Sequence, residues 1–185
     1  MSASLSRRSF LAASLGAAVL IGVAGAPVFA QPGSSSVQPA EPVRNVAEYS
    51  LAKRNNLAIQ GYDPVAYFPE FGGKAVKGKS SIETTYKGVL YRFGSTKNRD
   101  AFLANPAKFE PAYGGWCAWA MKDGEKTKID PKSFIVRDGR LFLFYKGLLG
   151  NTRASWVKQD HDAQARQSDA SWKRVSGEEP RTGNG

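Results

Sequence analysis

Two residues, Asp138-Gly139, set the tightest constraint on what this chain can fold into. They separate Phe134-Ile135-Val136-Arg137 from Arg140-Leu141-Phe142-Leu143-Phe144-Tyr145, two runs rich in aromatic and β-branched residues. Asp-Gly supplies the positive φ angles of a type I′ turn, so the segment predicts a β-hairpin. A second hairpin is predicted where Ile82-Glu83-Thr84-Thr85-Tyr86 and Val89-Leu90-Tyr91-Arg92-Phe93 flank Lys87-Gly88.

Helical signals lie between and after the hairpins. Ser95 or Thr96 caps a helix through Arg99, Phe102 and Leu103, which Asn105-Pro106 stops. Asp63 caps a short turn over 65–68, and Pro106-Ala107-Lys108-Phe109 reads as another turn. Residues 49–58 read as a short helix or an irregular lead-in, and 71–80 as a loop. The spacing of Trp116 and Trp119 puts both on one face of a helical segment. Leu148, Thr152 and Trp156 share a helical face at spacing four. A polar helix over about 160–173 carries Ala163, Ala170 and Trp172. The sum is an α+β fold: a small single domain with two β-hairpins and several short helices around an aromatic-rich core. Cys117 is the only cysteine, so no intrachain disulfide is possible. Stability must come from that core.

Upstream, Ser6-Arg7-Arg8-Ser9-Phe10-Leu11 precedes an apolar run to about Gly25 and a cut-like Val28-Phe29-Ala30. This order predicts a signal peptide over 1–30. The Arg-Arg pair with Phe-Leu behind it resembles the twin-arginine type, whose translocon exports folded proteins. An ordinary secretory leader with two arginines is the alternative. The run is short and diluted by Gly and Ala for a membrane anchor. The chain is therefore expected to be periplasmic or otherwise exported, soluble, and without stable membrane insertion once the leader is cleaved. Residues 31–45 are expected to be a disordered linker, 46–176 the folded domain and 177–185 a disordered tail. Loss of Arg7 and Arg8 takes the formal net charge from +10 to +8. Nucleic-acid binding would want bases in a stripe with exposed aromatics, and here they are scattered, so that class is set aside.

Four patches together resemble the YHS domain family, in its exported branch. They are Gly61-Tyr62-Asp63-Pro64-Val65-Ala66-Tyr67-Phe68; Tyr91-Arg92-Phe93-Gly94-Ser95 with 102–106; Tyr113-Gly114-Gly115-Trp116-Cys117-Ala118-Trp119-Ala120; and Asp138-Gly139-Arg140-Leu141-Phe142-Leu143. The resemblance spans roughly 57–172. It implies a small α+β domain often associated with metals, found beside copper transporters and some oxygenase components. Metal-associated relatives place cysteines where this chain has Ala66, Gly94 and Asn98, and Tyr62-Asp63-Pro64 stands in place of the Tyr-His-Ser of the family name. A soft-metal site needs thiolates or imidazoles, so the parent family's site does not carry over.

Other residues offer chemistry of their own. Cys117, after Gly114-Gly115 and near a helix start, suits a thiolate ligand, a reactive thiol or a small buried hydrophobe. Met121 follows at spacing four. Cysteine with methionine would favour copper over harder ions, and methionine beside tryptophans also suits a core. His161, the only histidine, lies in a polar stretch that reads as a solvated helix start, with a ligand or base role as the alternative. Tyr62, Tyr67, Trp116 and Trp119 are candidates for an aromatic ligand pocket, or for plain core. Asp63, Asp130 and Asp138 each precede Pro or Gly, so turn chemistry accounts for them. Gly72-Gly73-Lys74 lacks the length of a phosphate loop.

These residues point to a binding or accessory role rather than a catalytic one. Copper or another transition metal held by Cys117, Met121 and His161 is the leading specific expectation, with a metal-handling or oxidoreductase partner. A small-molecule or protein-partner module using the aromatic pocket is the alternative, and a Cys117 redox enzyme the third.

Overall fold

The computed structural model of the protein describes residues 44–183. The expected signal peptide and most of the expected linker lie outside the described residues.

The fold opens on a two-residue ladder, β1 (Leu51–Ala52) against β2 (Leu57–Ala58), in the stretch that suggested a helix or irregular lead-in. Backbone conformation explains the difference. Asn56, Ile59 and Gln60 hold φ of 55°, 49° and 51°, which no right-handed helix accommodates. Ile59 is β-branched and strained there; at 2 % exposed, it is pinned by burial.

β3 (Lys79–Tyr86) and β4 (Val89–Phe93) form the first expected hairpin. Lys87 and Gly88 at its tip have φ of 44° and 83°, as a type I′ turn requires. β4 also pairs in parallel with β2, so the sheet order is β1-β2-β4-β3. Val89, Tyr91 and Phe93 face the core at period two. α1 (Thr96–Ala104) starts at Ser95, whose Oγ accepts the Asn98 N–H at 3.2 Å. It lays Phe102 against Tyr91 and Phe93, with ring centroids 4.7 and 5.4 Å apart. α2 (Pro106–Phe109) is a single turn.

α3 (Ala118–Met121) is also one turn, with Cys117 as its N-cap, so Trp116 falls outside the helix. The second expected hairpin joins β5 (Asp130–Arg137) to β6 (Arg140–Phe144), with φ of 51° and 71° at Asp138 and Gly139. Leu141, Phe142, Leu143 and Phe144 are all buried, so β6 is covered on both faces. A tight ladder follows, β7 (Lys146–Gly147) with β8 (Gly150–Asn151). Leu148 stands fully exposed at its tip and not on a helical face with Thr152 and Trp156, because glycine flanks the turn on both sides.

α4 (Thr152–Trp156) leads into α5 (His161–Ser176), whose N-cap Asp160 accepts the Ala163 N–H at 2.6 Å. The buried stripe of α5 includes Gln164, Ala165, Ser168, Ser171 and Trp172, while Ala163 and Ala170 face outward. Its polar members have work to do. Ser168 donates to the Ala118 carbonyl at 3.1 Å and Ser171 to the Lys122 carbonyl at 2.9 Å. Those carbonyls belong to the first residue of α3 and to its C-cap, where a one-turn helix leaves acceptors unmatched. The architecture is α+β around one aromatic core. No helix among the described residues is long and apolar enough to cross a membrane.

After Gly177, Glu178 and Arg181 are docked, in contrast to the expected disordered tail. Glu178 is 1 % exposed and accepts from the Tyr49 hydroxyl at 2.7 Å and from the Asn45 N–H. Arg181 reaches both Glu178 and Glu110, at 3.2 and 3.3 Å. Arg44 holds Glu110 from the other side through two bonds of 3.0 and 2.6 Å.

Candidate functional site

The three positions where the resemblance would place cysteines converge on one carboxylate. Asp63 is fully buried. Its Oδ1 accepts the N–H groups of Val65 and Ala66 at 2.9 and 3.3 Å. Its Oδ2 accepts the Gly94 N–H at 2.8 Å and the Asn98 side-chain amide at 2.7 Å. Asp63 thus caps the 65–68 turn, as expected, and also ties that turn to the start of α1. A hydrogen-bonded knot fills the place, and none of Ala66, Gly94 or Asn98 offers a soft ligand.

Cys117 and Met121 are both fully enclosed in the core. They stand one helical turn apart, the Met121 N–H donating to the Cys117 carbonyl at 3.0 Å. The Cys117 sulfur accepts the Tyr145 N–H at 3.3 Å and lies 3.3 Å from the Thr152 hydroxyl. That hydroxyl donates its one proton to the Tyr145 carbonyl at 3.1 Å, so the thiol must donate to Thr152. The ring of bonds Cys117–Thr152–Tyr145 is closed and uses the sulfur as a protonated thiol.

His161 belongs to different surroundings. Cys117 meets α4 at its first residue, Thr152, whereas His161 meets it at its last, Trp156. The three candidate metal ligands are therefore not assembled into one centre. His161 is also not the solvated side chain its sequence context suggested. It is 8 % exposed and packs edge-on against Phe142 and Trp156, with centroids 5.0 and 5.5 Å away. The Trp156 indole N–H donates to His161 Nδ1 at 2.8 Å. An indole nitrogen can only donate, so Nδ1 must accept and the neutral ring carries its proton on Nε2. Burial pushes the imidazole pKa below its ordinary 6.5, and the charge of Arg137 pushes the same way against Asp162 and Asp138. A proton on Nδ1 would confront the indole N–H. His161 is a neutral ring with one fixed donor.

This ring lines two adjoining clefts. One, of about 200 Å³, has Phe142 and Ala165 as apolar lining, with Arg137, Arg140 and Arg166 opposite Asp138, Asp162 and Asp169. Arg140 and Asp169 pair through bonds of 3.0 and 2.6 Å. The other, of about 250 Å³, is lined by Arg137, Arg153, Ile135, Trp156, Val157 and Gln159. It carries two arginines and no acid. Asp138, His161 and Asp162 each bring a ligand atom within 4.8 Å of the others, the one such group among the described residues. A cation is poorly matched there. Neither imidazole nitrogen has a free lone pair, and three arginines line the same cleft.

Each of the four aromatic candidates is engaged by its own partner. Tyr67 is core, its hydroxyl donating to the Pro131 carbonyl at 2.9 Å and its ring edge-on to Phe134. Trp116 is half-buried and donates to the Glu48 carbonyl at 2.6 Å. Trp119 is capped by the Lys122 ammonium 3.3 Å above its ring, and Tyr62 by that of Lys77 at 4.8 Å. None of the four lines either cleft at His161. The clefts went unforeseen because their residues come from β5, the hairpin turn, β6, α4, α5 and the link between those helices. No short motif joins them; the one available signal was an isolated histidine five residues after a tryptophan. Set beside known protein families, curated proteins and solved structures, the chain matches none.

Proposed function

We propose that the chain is an exported, YHS-like binding or accessory protein, and that its ligand is a small organic anion held in the clefts at His161. The observation that carries this reading is the Trp156–His161 hydrogen bond. It removes the imidazole as a base and as a metal ligand and leaves it as a directional donor. Beside that donor, Arg137 and Arg153 bring two positive charges to the second cleft, whose own lining holds no acid; Arg137 also pairs with exposed Asp138 at 3.6 Å, and Ile135, Trp156 and Val157 supply an apolar wall. Guanidinium pairs carboxylate in a fork geometry, and the volume suits a ligand at the small end of the usual range. Copper held by Cys117, Met121 and His161 is less well supported, since the thiol is committed to Thr152 and Tyr145.

The test is a tryptophan-fluorescence titration with aliphatic and aromatic carboxylates, followed by Arg137→Gln. A saturable change that weakens about tenfold or more in the variant, the worth of one charge-assisted contact, is expected. A flat response across the panel, or saturation indifferent to Arg137→Gln, would overturn the reading.

A further inference from the structure

Beyond the clefts, the tip of the β7–β8 ladder presents two bare leucines. Leu148 and Leu149 are 105 % and 93 % exposed, the most exposed large apolar residues among those described. They form the two-residue loop between the paired Gly147 and Gly150. The tip is not a loose excursion. Tyr145 braces it, its hydroxyl accepting the Leu149 N–H at 3.4 Å. A Cβ on Gly147 would fall 2.5 Å from that hydroxyl, so the ring packs directly on the ladder's backbone. The base of the ladder is fixed to the core, because the Tyr145 N–H and carbonyl belong to the closed ring with Cys117 and Thr152.

The chain leading into and out of the tip carries charge of one sign. Lys146 pairs with Asn151 at the base of the ladder. Arg153 follows, its N–H donating to the Asn151 side chain at 3.1 Å. Lys146, Arg153 and Lys158 are all exposed, and the stretch 139–159 contains no Asp or Glu. A convex pair of leucines is too small a patch for a stable protein interface, which buries on the order of 1,200 Å² or more. It is well matched to a bilayer's interfacial zone, where long aliphatic side chains insert, lysine and arginine meet lipid phosphates, and a tyrosine lies at headgroup level.

We propose that the β7–β8 tip is a membrane-docking knob that inserts Leu148 and Leu149 into an anionic lipid surface, with the exposed Lys146 and Lys158 engaging the headgroup phosphates. The attachment is peripheral and reversible, since two leucines and a few bases are a weak anchor.

The experiment is flotation of the full chain with phosphatidylcholine vesicles, with and without phosphatidylglycerol, comparing wild type with Leu148→Ser/Leu149→Ser. Both substitutions lie at exposed positions, so the fold is retained. Binding is expected to be stronger on the anionic vesicles and to fall about tenfold or more in the double variant. Leu149→Trp is expected to shift its emission to the blue on those vesicles. Equal binding of wild type and double variant, or an unshifted Leu149→Trp emission, would overturn the proposal. So would a change in oligomeric state lost in the double variant without vesicle binding, which would assign the leucines to a second copy of the chain.

Discussion

Asn98 gives its side-chain amide to Asp63, Nδ2 to Oδ2 at 2.7 Å, and so fixes the start of α1 to the turn after Pro64. Both oxygens of Asp63 are fully used, each accepting two donors. An amide in its place would aim its NH₂ at other N–H groups in either orientation. Asp63→Asn is therefore expected to cost about 2–4 kcal/mol, through unsatisfied buried donors. Asn98→Ala should cost less, because the Gly94 N–H still serves Oδ2. Urea unfolding of the two variants measures the difference, and equal costs would contradict the four-donor account.

Glu110 is the hub of a buried ionic cluster. Burial alone would raise its pKa, but the hydrogen bonds from Arg44, the charge of Arg181 and the Tyr91 hydroxyl outweigh it and hold the carboxyl below its ordinary 4.5. A carboxylate depressed in the fold contributes stability that is complete above 4.5 and lost as pH falls through the depressed value. Acid unfolding is expected to show this loss below 4.5 and to lose it in Glu110→Gln. That variant leaves two arginines short of a partner and should cost about 3–5 kcal/mol at neutral pH. A melting-temperature series against pH for wild type and variant reads both effects.

Removing residues after Gly177 tests the same cluster from the other end. Glu178 and Arg181 would leave, stripping the Tyr49 hydroxyl and Glu110 of partners. Truncation is expected to lower the melting temperature by several degrees, as a loss of about 1–3 kcal/mol would. A tail that could be removed without effect would contradict its docking.

Cys117 should be inert in the native state. Its thiol is fully buried and bonded on both sides, so maleimide labelling at neutral pH is expected to be slow and to accelerate on unfolding. Cys117→Ala is expected to keep the fold at a cost of about 1–2 kcal/mol, from a small cavity and a lost weak hydrogen bond. Fast native labelling would revive the reactive-thiol reading.

The hairpins were legible because their signals are local. Period-two runs around Lys87-Gly88 and Asp138-Gly139 need nothing distant to be understood, and the Ser95 cap is likewise self-contained. What failed depended on partners far along the chain. The polar stretch at His161 looked solvated, yet the ring is covered by Phe142 and accepts from Trp156. The helix over 160–173 reads as polar in sequence, yet its Ser168 and Ser171 are buried and serve the Ala118 and Lys122 carbonyls. Leu148 fitted a helical spacing with Thr152 and Trp156 but is carried off by a turn between Gly147 and Gly150. In the candidate site, Cys117 and Met121 are legible as possible core and are buried, whereas the arginines that line the clefts come from elements no spacing could connect.

The proposed anion site requires His161 to be a neutral ring with its proton on Nε2, and a single histidine makes that directly visible. The decisive measurement is a two-bond ¹⁵N–¹H NMR spectrum of the imidazole, recorded from neutral pH downward and again with a bound carboxylate. The predicted result is the Nε2–H tautomer, with titration below the ordinary 6.5 and the Nε2 resonance moving on addition of the ligand. An Nδ1–H tautomer, or titration at 6.5 or above, would contradict it.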